Sequence, residues 1–351
     1  TKRGGFTVSE YERFKEEYLS QIDAQYDARD KVENSSYVDE YVRHFLDAEP
    51  APGIEWEKQF AHMLVPQIPL QAVNQVAAHL PEENRALAFF LPEKEGQQYP
   101  TEQQVLDALA AVDAEQIDAY TEEVNNDPLV PELNSNVTIK KMQDGVYGTK
   151  LITLSNGIKV HVLHTDYSPN SIAMRAISWG GSSLYPNSEY NLVDNAHMVQ
   201  VGGWGQFSAI DLQKKLSGKQ VSVEPSIADR TEALHGSCVK KDLETMLQLT
   251  YLTFTEPRRD DEVYAAYTER IKTLLANQDL NPKSALTDSV ASVLYHNDVR
   301  AVRMRAEDVD RISYDQMLQI YKERFAGAND FTFYLVGDFQ PDSVKPLLAK
   351  Y

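Results

Sequence analysis

The residues whose types and spacing come nearest to chemistry are Asn191, Asp194 and Asn195, in Asn191-Leu192-Val193-Asp194-Asn195. On a helix the first and last lie one turn apart on one face, with Asp194 beside them. Two histidines and a glutamate there would hold a zinc ion and a general base for attack on a peptide bond. The sequence has Asn, Asp and Asn instead. A neutral amide oxygen is a poor donor to zinc. The three positions read as a degenerate motif, so no catalytic residue and no metal ligand is assigned, and substrate-binding residues stay unassigned.

Other candidates read more simply. Asp194 and His197 can share a helix face, which leaves a weak metal site open, although a solvent-facing or capping histidine is the plainer reading. His161 and His164 are three apart on a strand and so face opposite ways. Gly202-Gly203-Trp204-Gly205 and Ser217-Gly218-Lys219-Gln220 lack the rest of a phosphate loop and read as turns. Trp204 reads as a packed anchor of its loop. Cys238, the single cysteine, allows no internal disulfide and reads as a small core hydrophobe. No local Ser/His/Asp or Cys/His arrangement is convincing.

The elements that position these residues follow from pattern. Capping signals open helices at Ser9/Glu12, Thr101/Gln104, Ser208/Asp211 and Ser313/Gln316. The first helix is expected to run to about Ala28, with others near Ser35, over Ile54 to Val65, and over Ile68 to His79. Arg85 to Leu91 is expected as a short strand. Asn125 to Lys141 is polar, holds two prolines and reads as a linker. Leu151–Leu154 and Ile158–Leu163 flank Asn156-Gly157, a type I′ hairpin signal. Ser171 to Ser178, Gln220 to Ile227, Arg230 to Val239 and Phe331 to Val336 are expected strands. Helices are expected over Asn187 to Gln200, Lys241 to Phe254, Asp260 to Asn277, Pro282 to Tyr295, Ser313 to Phe325 and Pro341 to Ala349.

The 351 residues suggest two domains, and 42% hydrophobic content suffices for cores. A net charge of -19 argues against nucleic acid and anionic membranes as partners. No apolar run approaches the ~20 residues of a membrane span. The chain opens on Thr1, which reads as a piece of a longer protein, and the missing signal sequence is uninformative. Residues 9–91 also lie over residues 260–336: an acid-rich amphipathic helix, a second helix, an Ile-led helix, a polar turn and an apolar strand. The second copy is preceded by a hairpin, a strand and the motif helix, which the first lacks.

Leu154-Ser155-Asn156-Gly157-Ile158-Lys159-Val160 resembles the opening hairpin of domains in the pitrilysin/insulinase (inverzincin) family of zinc peptidases. Gly181-Ser182-Ser183 resembles the stretch before that family's H-x-x-E-H motif. Ser217 to Val223 resembles its helix-to-strand turn, and Val336-Gly337-Asp338-Phe339 the strand end that closes its domains. The resemblance implies an α+β fold of mostly antiparallel sheets packed against helices, in repeated metallohydrolase-like domains as in mitochondrial processing peptidase. It implies residues 1–127 as the C-terminal part of a second domain, 128–148 as a linker, and 149–351 as a non-catalytic third domain. It further implies a zinc metalloendopeptidase whose zinc sits in a first domain outside this chain. This chain would hold no cofactor and form the opposing wall of the peptide chamber. Its partners would be an extended peptide and the N-terminal catalytic half, or a partner subunit. Glu262 and Glu269, where an active domain keeps its downstream zinc ligand, then read as surface charges. The alternative is a non-catalytic scaffold or assembly subunit of the same domains. A bacterial periplasm or cell envelope is favoured over the cytoplasm.

Overall fold

The computed structural model describes residues 5–78, 86–91, 96, 98–115, 120–122, 125 and 127–351. The first part is helical: α1 (Val8–Asp27), α2 (Asn34–Asp47), α3 (Ile54–Leu64), α4 (Leu70–Ala78) and α5 (Glu102–Ala114). Then come β1 (Ile139–Asp144), β2 (Lys150–Leu154), β3 (Lys159–His164), β4 (Ser171–Trp179), α6 (Tyr190–Asp194), α7 (Ala209–Lys215), β5 (Val221–Ile227) and β6 (Thr231–Val239). The chain ends with α8 (Leu243–Thr255), α9 (Asp261–Asp279), α10 (Pro282–Tyr295), α11 (Ala306–Val309), α12 (Tyr314–Arg324), β7 (Thr332–Gly337) and α13 (Lys345–Lys350).

Among the described residues seven strands form one sheet in the order β1-β2-β3-β7-β4-β6-β5. Every pairing is antiparallel except β3 with β7. The fold is therefore α+β, with the sheet packed against helices. Alternation sorts its faces. Ile172, Met174 and Ala176 of β4 point into the core, as do Phe333 and Leu335 of β7 and Val160 and Val162 of β3. Met246, Leu249 and Leu252 of α8 and Met317, Ile320 and Tyr321 of α12 complete that core.

Several boundaries differ from the sequence reading, each for a physical reason. The capping box of α1 is Thr7/Glu10, two residues before the expected one, because Ser9 is drawn into a bond with the Glu122 carboxylate at 2.6 Å. The hairpin between β2 and β3 turns over three residues, Ser155, Asn156 and Gly157. Only Gly157 has positive φ (+93°), and its N–H bonds to the Leu154 carbonyl. This is a type I turn followed by a left-handed glycine, not the two-residue type I′ turn.

The segment read as a linker, residues 128–148, holds the edge strand β1 and buries Leu129 and Val130. Of the expected strand from Arg85 to Leu91, Arg85 lies outside the described residues, and 86–91 are not a strand. No described segment offers them a ladder, and Phe90 stays 96% exposed. The helical part of the repeat is present in both copies; its strand is present in the second as β7.

Helix α1 joins the two parts. The Gln220 side chain donates to the Ser20 carbonyl at 2.6 Å, and Asn170 Nδ2 donates to Asp27 at 2.6 Å. Glu122 is clamped between Arg13 of α1 and Lys214 of α7, at 2.8 Å to each.

Candidate functional site

The motif region begins where β4 ends. Gly180 and Gly181 both take positive φ (+155° and +61°), which lets the chain fold back along the β5–β6 turn. The N–H groups of Gly180, Ser182 and Ser183 donate to the carbonyls of Arg230, Ala228 and Asp229. The Gly181 N–H donates to the buried Glu232 carboxylate at 2.6 Å. A Cβ on Gly181 would stand 2.1 Å from the Ala228 carbonyl oxygen. Gly181→Ala is therefore expected to cost about 2 kcal/mol, combining left-handed strain with displaced backbone. Urea unfolding checks this, and an unchanged midpoint would refute it.

The expected helix from Asn187 to Gln200 is broken. Only Tyr190–Asp194 is α-helical, and Ala196–Gly202 winds as a 3₁₀ helix. Side chains compete for the backbone at the break. Asn195 Nδ2 donates to the Asn191 carbonyl at 2.7 Å, and His197 Nδ1 lies 2.7 Å from the Asp194 carbonyl. Val193, Ala196 and Val199 are fully buried and fix this segment against the core.

The motif positions thus end up apart in chemistry. Asn195 is spent on its own helix turn. Asn191 lines a surface cleft of about 660 Å³ with Tyr295, His296, Asp298 and Arg311. The half-buried Asp194 carboxylate makes no hydrogen bond or ion pair among the described residues, and burial raises its pKa against the opposing pull of His197. Burial also lowers the His197 pKa, so its imidazole is neutral near pH 7, with Nδ1–H donated to the Asp194 carbonyl. Asp194 and His197 therefore meet through the backbone, not around an ion. Among the described residues no group of three or more His, Cys, Asp and Glu could hold a metal. The donor set does not fit zinc: two amides, one tied to its own backbone, and a carboxylate pushed toward its neutral form.

The remaining sequence candidates separate cleanly. Trp204 is buried, and its ring centroid lies 5.8 Å from that of Tyr321. Gly218 has positive φ and turns the chain so that Gln220 N–H reaches Asp242 at 2.8 Å. His161 stacks on Tyr334 at 5.1 Å, whereas His164 is exposed on the other face of β3. Glu262 and Glu269 are exposed, and Glu269 pairs with Lys272. Cys238 is buried, which pushes its thiol pKa up to about 12.

What the sequence reading missed is the uncovered face of the sheet. Strand register sets Leu151, His161, Tyr334, Arg175, His235 and Glu224 side by side in one row across six strands. Directly opposed residues share a face. Arg175 and His235 are exposed, and Trp179, two residues along β4 from Ile177, is 82% exposed. The signal was available in the phase of β4. Its buried members are Ile172, Met174 and Ala176, so Ala173, Arg175, Ile177 and Trp179 must face the other way.

No model of a protein family matches the sequence. A zinc protease PQQL-like protein of Arabidopsis thaliana is 24% identical over 350 residues, which is 99% of this chain and 34% of that protein. A probable zinc protease PqqL of Haemophilus influenzae is 26% identical over 201 residues, 56% of this chain and 21% of that protein. Among solved structures, the periplasmic protease PqqL from Escherichia coli aligns over 100% of this chain and 39% of its own, with a TM-score of 0.58 at 18% identity. The ferredoxin protease FusC, an E83A mutant in complex with Arabidopsis ferredoxin, aligns over 98% of this chain and 40% of its own, at TM-score 0.54 and 16% identity. The chain spans about a third or less of the length of the curated relatives it matches.

Proposed function

We propose that this chain belongs to the pitrilysin/insulinase (inverzincin) family of zinc metallopeptidases and forms the non-zinc wall of that peptidase's peptide chamber, a reading supported by its zinc-protease relatives and by its fold. The observation that carries the reading is the motif region. It keeps the glycine turn and the short helix, but fills the ligand positions with Asn191, Asp194 and Asn195, none of which is arranged around an ion. On this reading residues 149–351 are the inactive third domain, and residues 1–127 the later part of a second. The metal site then belongs to a first domain elsewhere in the protein.

The relatives' names support a peptidase parent over a pure scaffold. Exposed apolar helix faces support a further partner within the same protein. α2 buries none of its residues and exposes Tyr41, Val42 and Phe45; α10 exposes Leu286, Val290 and Val293. Apolar side chains exposed along one face of a helix mark interaction surfaces. The ligand class we assign is an extended peptide or an unfolded protein segment. The E. coli relative is described as periplasmic, and we assign this protein to the same compartment. Among the described residues no helix is long and apolar enough to cross a membrane.

The test is the zinc content of the purified chain after equilibration with excess zinc and removal of free ion, together with hydrolysis of an unfolded peptide. The expected result is no stoichiometric zinc and no chelator-sensitive cleavage. One tightly held zinc per chain, or cleavage abolished by a chelator, would overturn the assignment.

A further inference from the structure

The uncovered sheet face has a charge opposite to that of the protein. The chain carries a net charge of -19. Register nevertheless sets Lys141, Lys159 and Arg175 on this face, against the single carboxylate of Glu224. Lys141 and Lys159 both stand opposite Thr153 of β2, and Arg175 stands opposite Tyr334. None of the three cations makes an ion pair or a side-chain hydrogen bond among the described residues. A default solvated surface on so acidic a chain would be acidic here as well, and Arg175 lies beside Tyr334 on β7 and Ile177 on its own strand, with the exposed Trp179 further along β4.

We propose that this face binds an extended, acidic segment of a peptide, with Arg175 holding one carboxylate and Lys159 another. This rests on the chamber-wall reading and adds to it a substrate class. The spacing suits the ligand. Lys159 and Arg175 are two strands apart across β7 and two residues out of line, about 12 Å at the usual strand spacings, and an extended peptide advances about 10 Å in three residues, a difference the long side chains span. Carboxylates three residues apart can therefore meet successive cations. Arg175 offers a planar fork for a bidentate contact, and the Tyr334 ring beside it can cover the peptide backbone. Glu224, at the far end of the row opposite His235, sets an acidic limit to the strip.

The experiment uses the full chain and three fluorescent, unstructured peptides that differ at two positions three residues apart. These positions carry Glu in the first, Gln in the second and Lys in the third, and each peptide bears one photo-crosslinking residue. Binding is read by anisotropy, and crosslinks are mapped by mass spectrometry. The Glu peptide is expected to crosslink to β4 and β7 and to bind about tenfold tighter than the Gln peptide, an advantage that Arg175→Gln should remove. Arg175 is exposed, so that variant keeps the fold, which its circular dichroism spectrum checks. Equal binding of all three peptides with crosslinks on this face would overturn the acidic preference and leave the wall reading standing. Absence of crosslinks on this face from any peptide would remove both.

Discussion

Replacing Phe325 with alanine is expected to lower the unfolding free energy by about 4 kcal/mol, because it empties the centre of an aromatic cluster. Phe325 is 1% exposed and stacks on Tyr321 at 4.5 Å and on Phe331 at 5.6 Å, with Phe254 tilted at 5.9 Å. The cluster ties three elements together: α12, α8 and β7. The Tyr321 hydroxyl donates to the buried Thr253 carbonyl at 2.9 Å, so the neighbouring ring cannot slide into the hole without breaking that bond. Collapse is thus restrained, which places the cost toward the upper part of the usual range. Phe325→Leu, which keeps most of the volume, is expected to lose under about 1.5 kcal/mol. Urea unfolding followed by Trp emission and by circular dichroism measures both. A loss below about 1 kcal/mol for the alanine variant would show that the cluster closes over the vacancy.

Glu122→Gln is expected to cost about 3 kcal/mol at neutral pH. The Glu122 carboxylate, 2% exposed, accepts from Arg13 Nη1 and Nη2 at 2.8 and 2.9 Å, from Ser9 at 2.6 Å and from Lys214 at 2.8 Å. An amide keeps the shape and leaves two mostly buried cations without their counter-charge. The bond to Arg13 is the largest influence holding its pKa far below the ordinary 4.5, at about 2. A depressed carboxylate contributes stability that is whole above the unfolded value and is lost as pH falls toward the folded one. The difference between the two proteins should therefore be constant from neutrality down to about pH 4.5, then shrink toward pH 2. Unfolding free energies of both proteins at several pH values test this. A difference that persists undiminished at pH 2 would assign the effect to packing. Because Glu122 bridges α1 and α7, amides of α1 should also lose exchange protection in the variant.

Much of the fold was legible from local rules, and the failures have local causes. The Thr101/Gln104 and Ser208/Asp211 boxes cap α5 and α7, and Ser313 caps α12, as read, because each satisfies its helix N-terminus within four residues. The α1 cap was misplaced because overlapping Thr-x-x-Glu and Ser-x-x-Glu patterns compete, and the choice is made by Glu122, over a hundred residues away. Strand β1 was invisible because only Ile139 and Met142 face inward, and a bulge at 139–141 breaks the alternation. The motif helix read as continuous because Asn and His tolerate a helix in isolation; the bonds of Asn195 and His197 to neighbouring carbonyls end it here. The expectation that Asn191, Asp194 and Asn195 hold no metal rested on residue type alone; the structure adds that the Asn195 amide is bonded to its own helix turn. The Arg175 row was not legible, since a row across a sheet is made by pairing strands far apart in sequence.

The position of β7 has a consequence for how the molecule comes into being. Thr332–Gly337 is the last of the seven described strands in sequence, yet it lies between β3 and β4 in the middle of the sheet. Chains are made from the N-terminus at about 5–20 residues per second. During synthesis β1-β2-β3 can pair as one ribbon and β4-β6-β5 as another, each through antiparallel neighbours. Until β7 leaves the ribosome the ribbons have no strand in common, and both β3 and β4 present bare edges to anything extended nearby. The nascent protein thus passes through a stage with two unprotected edges that the finished sheet never shows, and that stage is where chaperone capture or aggregation would act.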